Sequence, residues 1–228
     1  MVKQQKYIIL DFGLVLGKPK TGNWFITPNF FEILETEKID LKKLKFLFNK
    51  YNALISVKMT TREEEYEAFK EFYYNIINEL HIDGNPKEQA EKLARDFVYN
   101  EDKYVMYDDV YDFLSDASKE HTLILLSDNW PCVYNILKRW NIYDFFTKIY
   151  ISSEYCELKK DGKFFDRPIN EFNIKENEAI FVDDNPDLLV VAVKKKLSPI
   201  LMDRANNYRQ FNKYSRITNL KELNEVGV

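Results

Sequence analysis

Histidine and cysteine are nearly absent from this chain. Two histidines (His81, His121) and two cysteines (Cys132, Cys156) lie scattered through 228 residues. That distribution excludes a dedicated His/Cys zinc site and a disulfide framework. Any catalysis must run mostly on carboxylates, lysines and hydroxyls. Glycine is scarce as well, six in all. Neither a G-x-x-x-x-G-K-[ST] loop nor a G-x-G-x-x-G turn occurs, which removes the commonest nucleotide-binding folds. No charge of one sign dominates: 33 Lys+Arg against 37 Asp+Glu leave a net charge of -4, so nucleic acid is not an expected partner. Long apolar runs are missing too. The first, Tyr7 to Leu10, is too short for a signal-peptide core or a membrane span. The expectation is a cytoplasmic protein with no membrane partner and with reduced cysteines. Both cysteines read as small core or surface residues rather than nucleophiles, since neither has a histidine close in sequence.

What is present describes a chain able to bury a core. Hydrophobic residues make up 45% and charged residues 31%, and the length is about one and a half average domains, which predicts one domain carrying an insertion. Strand-length apolar runs recur at 7–10, 122–126, 148–151, 179–182 and 198–202. Most are separated by segments of helical length, the pattern of a parallel sheet covered on both faces. Helices are predicted over 108–118 (Val110, Phe113, Leu114, Ala117), from Pro131 (Val133, Ile136, Leu137, Trp140) and from Pro186 to the basic run 194–196. Between about Gly17 and Glu101 the alternation stops and no convincing strand is found. Leu41, Leu44, Phe48 and Tyr51 have helical spacing; Thr61 and Glu64 form a capping-box signal before a long aromatic-rich helix; and Asn85-Pro86 opens another. The aromatic stripe of the long helix reads as a helix–helix core rather than a cofactor box. The expected fold is α/β: a Rossmann-like three-layer α/β/α parallel sheet, residues 1–16 and 102–228, with a helical cap, residues 17–101, inserted after the first strand.

Four polar features fall at the C-terminal ends of predicted strands, where an open parallel sheet binds its ligands. They are Asp11, Ser127 (followed by Asp128 and Asn129), Lys159 and the pair Asp183-Asp184. Singly, each has an ordinary alternative: a turn aspartate, helix caps, a solvated lysine. The adjacent acids are the hardest to dismiss, because two carboxylates after a buried strand are costly without a compensating cation. Together the set is coherent. Asp11 and Asp183-Asp184 offer hard oxygen ligands suited to Mg²⁺. Ser127, backbone N–H groups near Pro131 and Lys159 suit a phosphoryl group.

The order Asp, Ser, Lys, Asp-Asp on successive strands resembles that of the haloacid dehalogenase-like hydrolases, with the cap in the position typical of the C1 class. The segment from Ser152-Ser153-Glu154 to Lys159, followed by Asp161 and Phe165, is similar to the lysine segment of that family. Phe181-Val182-Asp183-Asp184-Asn185-Pro186-Asp187 is similar to its metal segment. The resemblance implies a two-step phosphoryl transfer: attack by Asp11 to give an aspartyl-phosphate, then hydrolysis. It implies Mg²⁺ held by Asp11, the Gly13 carbonyl and Asp184, with Asp183 nearby or bound through water. It further implies phosphate binding by Ser127, Asp128, Asn129 and Lys159, and charge stabilisation by Ser127 and Lys159.

Four positions depart from the family pattern. Gly13 stands where most family phosphatases carry a second aspartate as general acid/base, although a subset with an Asp-x-Gly-x-Val pattern also has glycine there. Lys160 replaces the usual proline, which leaves Lys159 and Lys160 both open as the phosphate-binding lysine. Asp128 separates Ser127 from Asn129, and Leu188 replaces an asparagine that often supports the metal. The leading expectation is a Mg²⁺-dependent phosphatase for a small phosphorylated metabolite such as a sugar phosphate or nucleotide. The alternative is a catalytically weak relative that binds a phosphorylated ligand or a protein partner, with haloacid dehalogenation ranked third. Specificity is expected in the cap, where Asn23, Trp24, Phe25 and the long helix could face the site.

Overall fold

The computed structural model describes residues 6–36 and 38–225. Its strands are β1 (Tyr7–Leu10), β2 (Gly17–Pro19), β3 (Tyr104–Met106), β4 (Thr122–Ser127), β5 (Lys148–Ile151), β6 (Ala179–Asp183), β7 (Ser198–Met202) and β8 (Ser215–Ile217). Its helices are α1 (Phe30–Ile33), α2 (Leu41–Tyr51), α3 (Arg62–Leu80), α4 (Pro86–Tyr99), α5 (Val110–Ala117), α6 (Cys132–Arg139), α7 (Ser152–Tyr155), α8 (Lys163–Glu171) and α9 (Pro186–Lys194). Among the described residues no helix is long and apolar enough to cross a membrane.

Six strands form one sheet in the order β5-β4-β1-β6-β7-β8, every neighbouring pair parallel. Period-2 alternation explains why the strands are apolar throughout. Ile8, Leu10, Leu123, Leu125, Ile180 and Val182 face one apolar cluster with Val133, Ile136 and Leu137 of α6. Tyr7, Ile9, Ile124, Leu126, Ala179 and Phe181 face the other, with Phe164 and Phe165 of α8 and Leu189 of α9. The fold class is therefore as expected: a Rossmann-like α/β parallel sheet with helices on both faces. The chain leaves β1 toward β4 and β5 and then returns to the opposite side of β1 as β6. The order reverses between β1 and β6, which opens a crevice at their C-terminal ends.

Helices α1 to α4 pack round a separate apolar cluster that includes Phe30, Leu44, Phe48, Phe69, Phe72, Tyr73, Leu93 and Phe97. The aromatic stripe of α3 is thus helix–helix core; Phe69 and Phe97 stack at 3.8 Å between centroids. The Thr61–Glu64 capping box forms as expected, each side chain bonding the other's backbone amide. Leu41, read as part of the apolar face of α2, is instead 60% exposed.

Two strand readings need correction. The interval 17–101 does contain a strand: β2 pairs antiparallel with β3 where the chain enters and leaves the helical layer. The sequence Gly17-Lys18-Pro19 carries almost no strand signal, since glycine and proline weaken a ladder, and the pairing is set by tertiary position. The edge strand β8 was likewise unforeseen; its three residues run from exposed to buried and are too few for a pattern. Helix α6 starts at Cys132, with Pro131 just outside it.

Candidate active site

The turn after β1 is built to present a carboxylate. The Asp11 amide donates to Val182 O at 3.0 Å, continuing the β1–β6 ladder by one residue. The chain then doubles back: Leu16 N and Gly17 N both donate to Phe12 O, and Leu14 N donates to Gly17 O. Gly17 is required at this reversal, because a Cβ there would lie 2.4 Å from Cη2 of Trp140 and 3.0 Å from Val105 O. Behind the turn, Phe12 stacks on Trp140 at 5.5 Å. Arg204, after β7, grips both Asp109 carboxylate oxygens at 2.7 Å and donates to Val15 O at 2.6 Å.

Lys159 is the centre of the arrangement. It is 2% exposed, among the largest fully buried side chains of the protein. Its ammonium donates to Asp183 Oδ2 at 2.6 Å and lies 2.8 Å from Asp11 Oδ1. The second contact is one of charge rather than an aligned hydrogen bond, so Asp11 Oδ1 is buried without a hydrogen-bond donor. Burial opposes the lysine charge, but Asp11, Asp183 and Asp128 together outweigh it and hold the ammonium well above its ordinary range. The structure thereby separates the two candidate lysines: Lys160 is exposed.

Asp183 accepts from Asn185 N at 2.9 Å, a turn that starts α9. Burial pushes its carboxyl upward, against the pull of Lys159 and together with repulsion from Asp11. Asp184 is raised to about 7, by burial first and then by the negative charge of Asp11 and Asp183. One oxygen from each of Asp11, Asp183 and Asp184 can be chosen so that all lie within 4.8 Å of one another. A buried carboxylate oxygen lacking a donor, beside two further acids that repel it, fits a divalent cation held by oxygens. Leu188 faces the apolar cluster below the sheet instead.

The remaining predicted residues gather at the end of β4, the neighbour of β1. Ser127 is buried at the final rung of the sheet, in register with Ile151. The Asp128 carboxylate accepts the Lys159 amide at 3.0 Å, so the residue that separates Ser127 from Asn129 fixes the backbone of the buried lysine. Burial raises the Asp128 carboxyl. Asn129 N donates to Ser152 Oγ, and its Oδ1 accepts from Trp130 N, both at 3.0 Å. Asp11, Lys159, Asp183, Asp184 and Asp128 are therefore one connected group, while the Asn129 side chain serves its own turn.

The helical layer lies against this end of the sheet. Trp130 Nε1 donates to Ile55 O at 2.9 Å, Cys132 N to Glu65 Oε2 at 2.8 Å, and Met59 N to Ser153 O at 3.0 Å. A cleft of about 270 Å³ remains between residues 52 and 55–57 on one side and Asp128, Asn129, Ser152 and Ser153 on the other. Of the three loop residues considered, Trp24 reaches Gly13. Phe25 turns into the helical cluster, and Asn23 caps its own loop by accepting from Phe25 N. Sequence reasoning missed Glu65, which is wholly buried. It sits in the acidic run Glu63-Glu64-Glu65 at a helix start, where solvated acids are usual, and its single signal is the i, i+4 spacing to Phe69.

Comparison with known proteins bears on the fold and the family. A search of curated protein sequences finds no match. Solved structures do match over nearly the whole length; the three named here are each 14% identical, a level that shows the fold alone. They include a 2-haloacid dehalogenase from Pseudomonas syringae pv. Tomato DC3000, covering 97% of both chains with a TM-score of 0.71. The putative HAD-hydrolase YfnB from Bacillus subtilis, bound to magnesium, covers 98% of this chain and 99% of its own at 0.69. A HAD phosphatase from Thermococcus onnurineus covers 97% of each at 0.65. The family model for haloacid dehalogenase-like hydrolases matches residues 31–198, well over half of the chain, and the protein belongs to that hydrolase family.

Proposed function

We propose that the protein is a Mg²⁺-dependent phosphatase that transfers the phosphoryl group of a small phosphorylated metabolite to Asp11 and then to water. The observation that carries this reading is the buried lysine shared by Asp11 and Asp183, with Asp184 held at a raised pKa beside them. Such a group would serve as a nucleophilic carboxylate, a fixed positive charge and a cation site round one point. Asp11, Asp183 and Asp184 would hold the ion, together with the Gly13 carbonyl, and Mg²⁺ bound there would neutralise charge on the phosphoryl oxygens.

The chain's own groups do the rest. Asp11 attacks phosphorus in line with the departing oxygen. Lys159, fixed by Asp183 at its head and by Asp128 at its backbone, presents positive charge to the transferring group without reorganising. Ser127 and the N–H groups of the turn that follows supply hydrogen bonds to the phosphoryl oxygens. Helices α1 to α4 act as the cap, closing over the site through the Trp130, Cys132 and Ser153 contacts and excluding water during transfer. Displacement of halide by Asp11 would have no use for an acid cluster, which ranks dehalogenation lower. Phosphate release from a panel of sugar phosphates and nucleotides, with and without chelator, tests the proposal. Release should need the metal and vanish in Asp11→Asn; turnover unchanged in that variant would overturn it.

One observation favours a second reading. Beside Gly13 stands an indole rather than an acid, as expected of a relative that holds a phosphorylated ligand and turns it over slowly. Steady Mg²⁺-dependent turnover lost in Asp184→Ala would remove this reading.

A further inference from the structure

Gly13 lies two residues beyond the nucleophile, and its surroundings bear on what can leave. A Cβ at this position would stand 3.6 Å from Asp11 Oδ2 on one side and 3.2 and 3.3 Å from Cζ2 and Cη2 of Trp24 on the other. The flank next to the attacking carboxylate is thus occupied by the hydrocarbon edge of an indole. That ring is partly buried and packed against the core. Trp24 packs edge-on against Tyr104 at 5.4 Å, and Tyr104 rests on Phe12, also at 5.4 Å. The acids near Asp11 have other work: Asp183 holds Lys159, Asp128 holds the Lys159 amide, and Asp184 belongs to the cation group. An indole edge has no proton to give, and the indole N–H is far too weak an acid to supply one.

A departing oxygen at such a wall leaves with the bonding electron pair as an anion, and the barrier follows its own stability as an anion. Resting on the phosphatase reading above, we propose that the site is selective for phosphoryl groups carried on an acidic oxygen — a phenol, an enol or a carboxyl — against those carried on an alkyl alcohol. Phenols ionise near ~10 and carboxyls near ~4, both far below alkyl hydroxyls. In the first step the Asp11 O–P bond forms and the P–O bond to the leaving group breaks. The leaving anion takes a proton from solvent after departure if it needs one. In the second step water attacks phosphorus, the Asp11 O–P bond breaks, and hydrogen phosphate and one proton are released with the Asp11 carboxylate restored.

The test is a leaving-group series on the whole protein with saturating Mg²⁺: substituted phenyl phosphates, phenyl phosphate and simple alkyl phosphates, each read as kcat/KM by phosphate release. General acid help is worth about 10²–10⁴-fold, so alkyl phosphates should fall at least ~100-fold below phenyl phosphate, with a steep decline across the phenols. A flat series, or alkyl phosphates as fast as phenyl, overturns the proposal while leaving the phosphatase reading intact. No phosphate from any member overturns both. In a second arm, Gly13→Asp combined with Trp24→Ala puts an acid into the vacated flank. The series should then flatten through gain on the alkyl phosphates; an equally steep series in that variant would also count against the role of the indole wall.

Discussion

Replacing Glu65 by glutamine should leave the fold as stable in mild acid and make it more stable in alkaline solution. Glu65 lies in the first turn of α3 and is fully buried where the helical layer meets α6. Its Oε2 accepts from Cys132 N at 2.8 Å, whereas Oε1 has no partner. Burial raises its carboxyl from 4.5 to about 7, against the attraction of Lys103. A folded-state pKa above the unfolded value means that the folded chain binds the proton more tightly. Stability is therefore full below 4.5, declines up to about 7 and stays level above that. At about 1.4 kcal/mol for each pH unit, the loss comes to roughly 3 kcal/mol. Glutamine keeps the acceptor for Cys132 N and does not titrate. Asp183 and Asp184 shift in the same direction, so the difference between the two proteins is the quantity to measure, by urea unfolding from about pH 5 to about pH 8.5. The variant should gain on the parent by roughly 2–3 kcal/mol across that range. A constant difference would refute the buried neutral acid. A variant that falls behind as pH rises would show Glu65 ionised and paired with Lys103.

Lys159→Met leaves Asp11 and Asp183 buried without their cation and should cost about 3–5 kcal/mol. Added Mg²⁺ should restore part of the lost melting temperature, and an unchanged melting temperature without metal would contradict the ion-pair account. Gly17→Ala drives a methyl to 2.4 Å from Trp140 Cη2, with Val105 O at 3.0 Å, and should destabilise by about 1–3 kcal/mol in chemical denaturation; a neutral result would mean the turn relaxes. Thiol labelling of the native protein should modify one cysteine quickly. Cys156 is exposed, while Cys132 is buried with its thiol pushed up by burial. Two fast-reacting thiols would show the helical layer opening away from α6.

The sheet was legible because buried parallel strands must be apolar on both faces. The runs at 7–10, 148–151 and 198–202 are β1, β5 and β7 to the residue, and β4 and β6 extend theirs by one, through Ser127 and Asp183. Those added residues are the polar ones, buried like the rest of their strands but invisible to an apolar pattern. Helix starts were legible where a side chain caps the backbone, as at Thr61 and at Asn185 before Pro186. What stayed hidden depends on contacts distant in sequence. Strands β2 and β3 are three residues each and exist because they pair with one another where the chain enters and leaves the helical layer. Lys159 and Lys160 are alike as letters, and only the turn held by Asp128 sends one inward. Glu65 looks solvated until α6 packs against it. The sequence shows a glycine at position 13, and only the fold shows that the Trp24 ring stands beside it.

The central claim is that Asp11 carries the phosphoryl group between substrate and water. It is tested most directly by mixing the protein with Mg²⁺ and phenyl phosphate, quenching in acid within the first turnover, and mapping the phosphate by mass spectrometry. The account predicts a phosphorylated peptide containing Asp11, modified at that carboxylate, that disappears as turnover completes and never forms in Asp11→Asn. Phosphate released at full rate with no modified Asp11 at any time would contradict it.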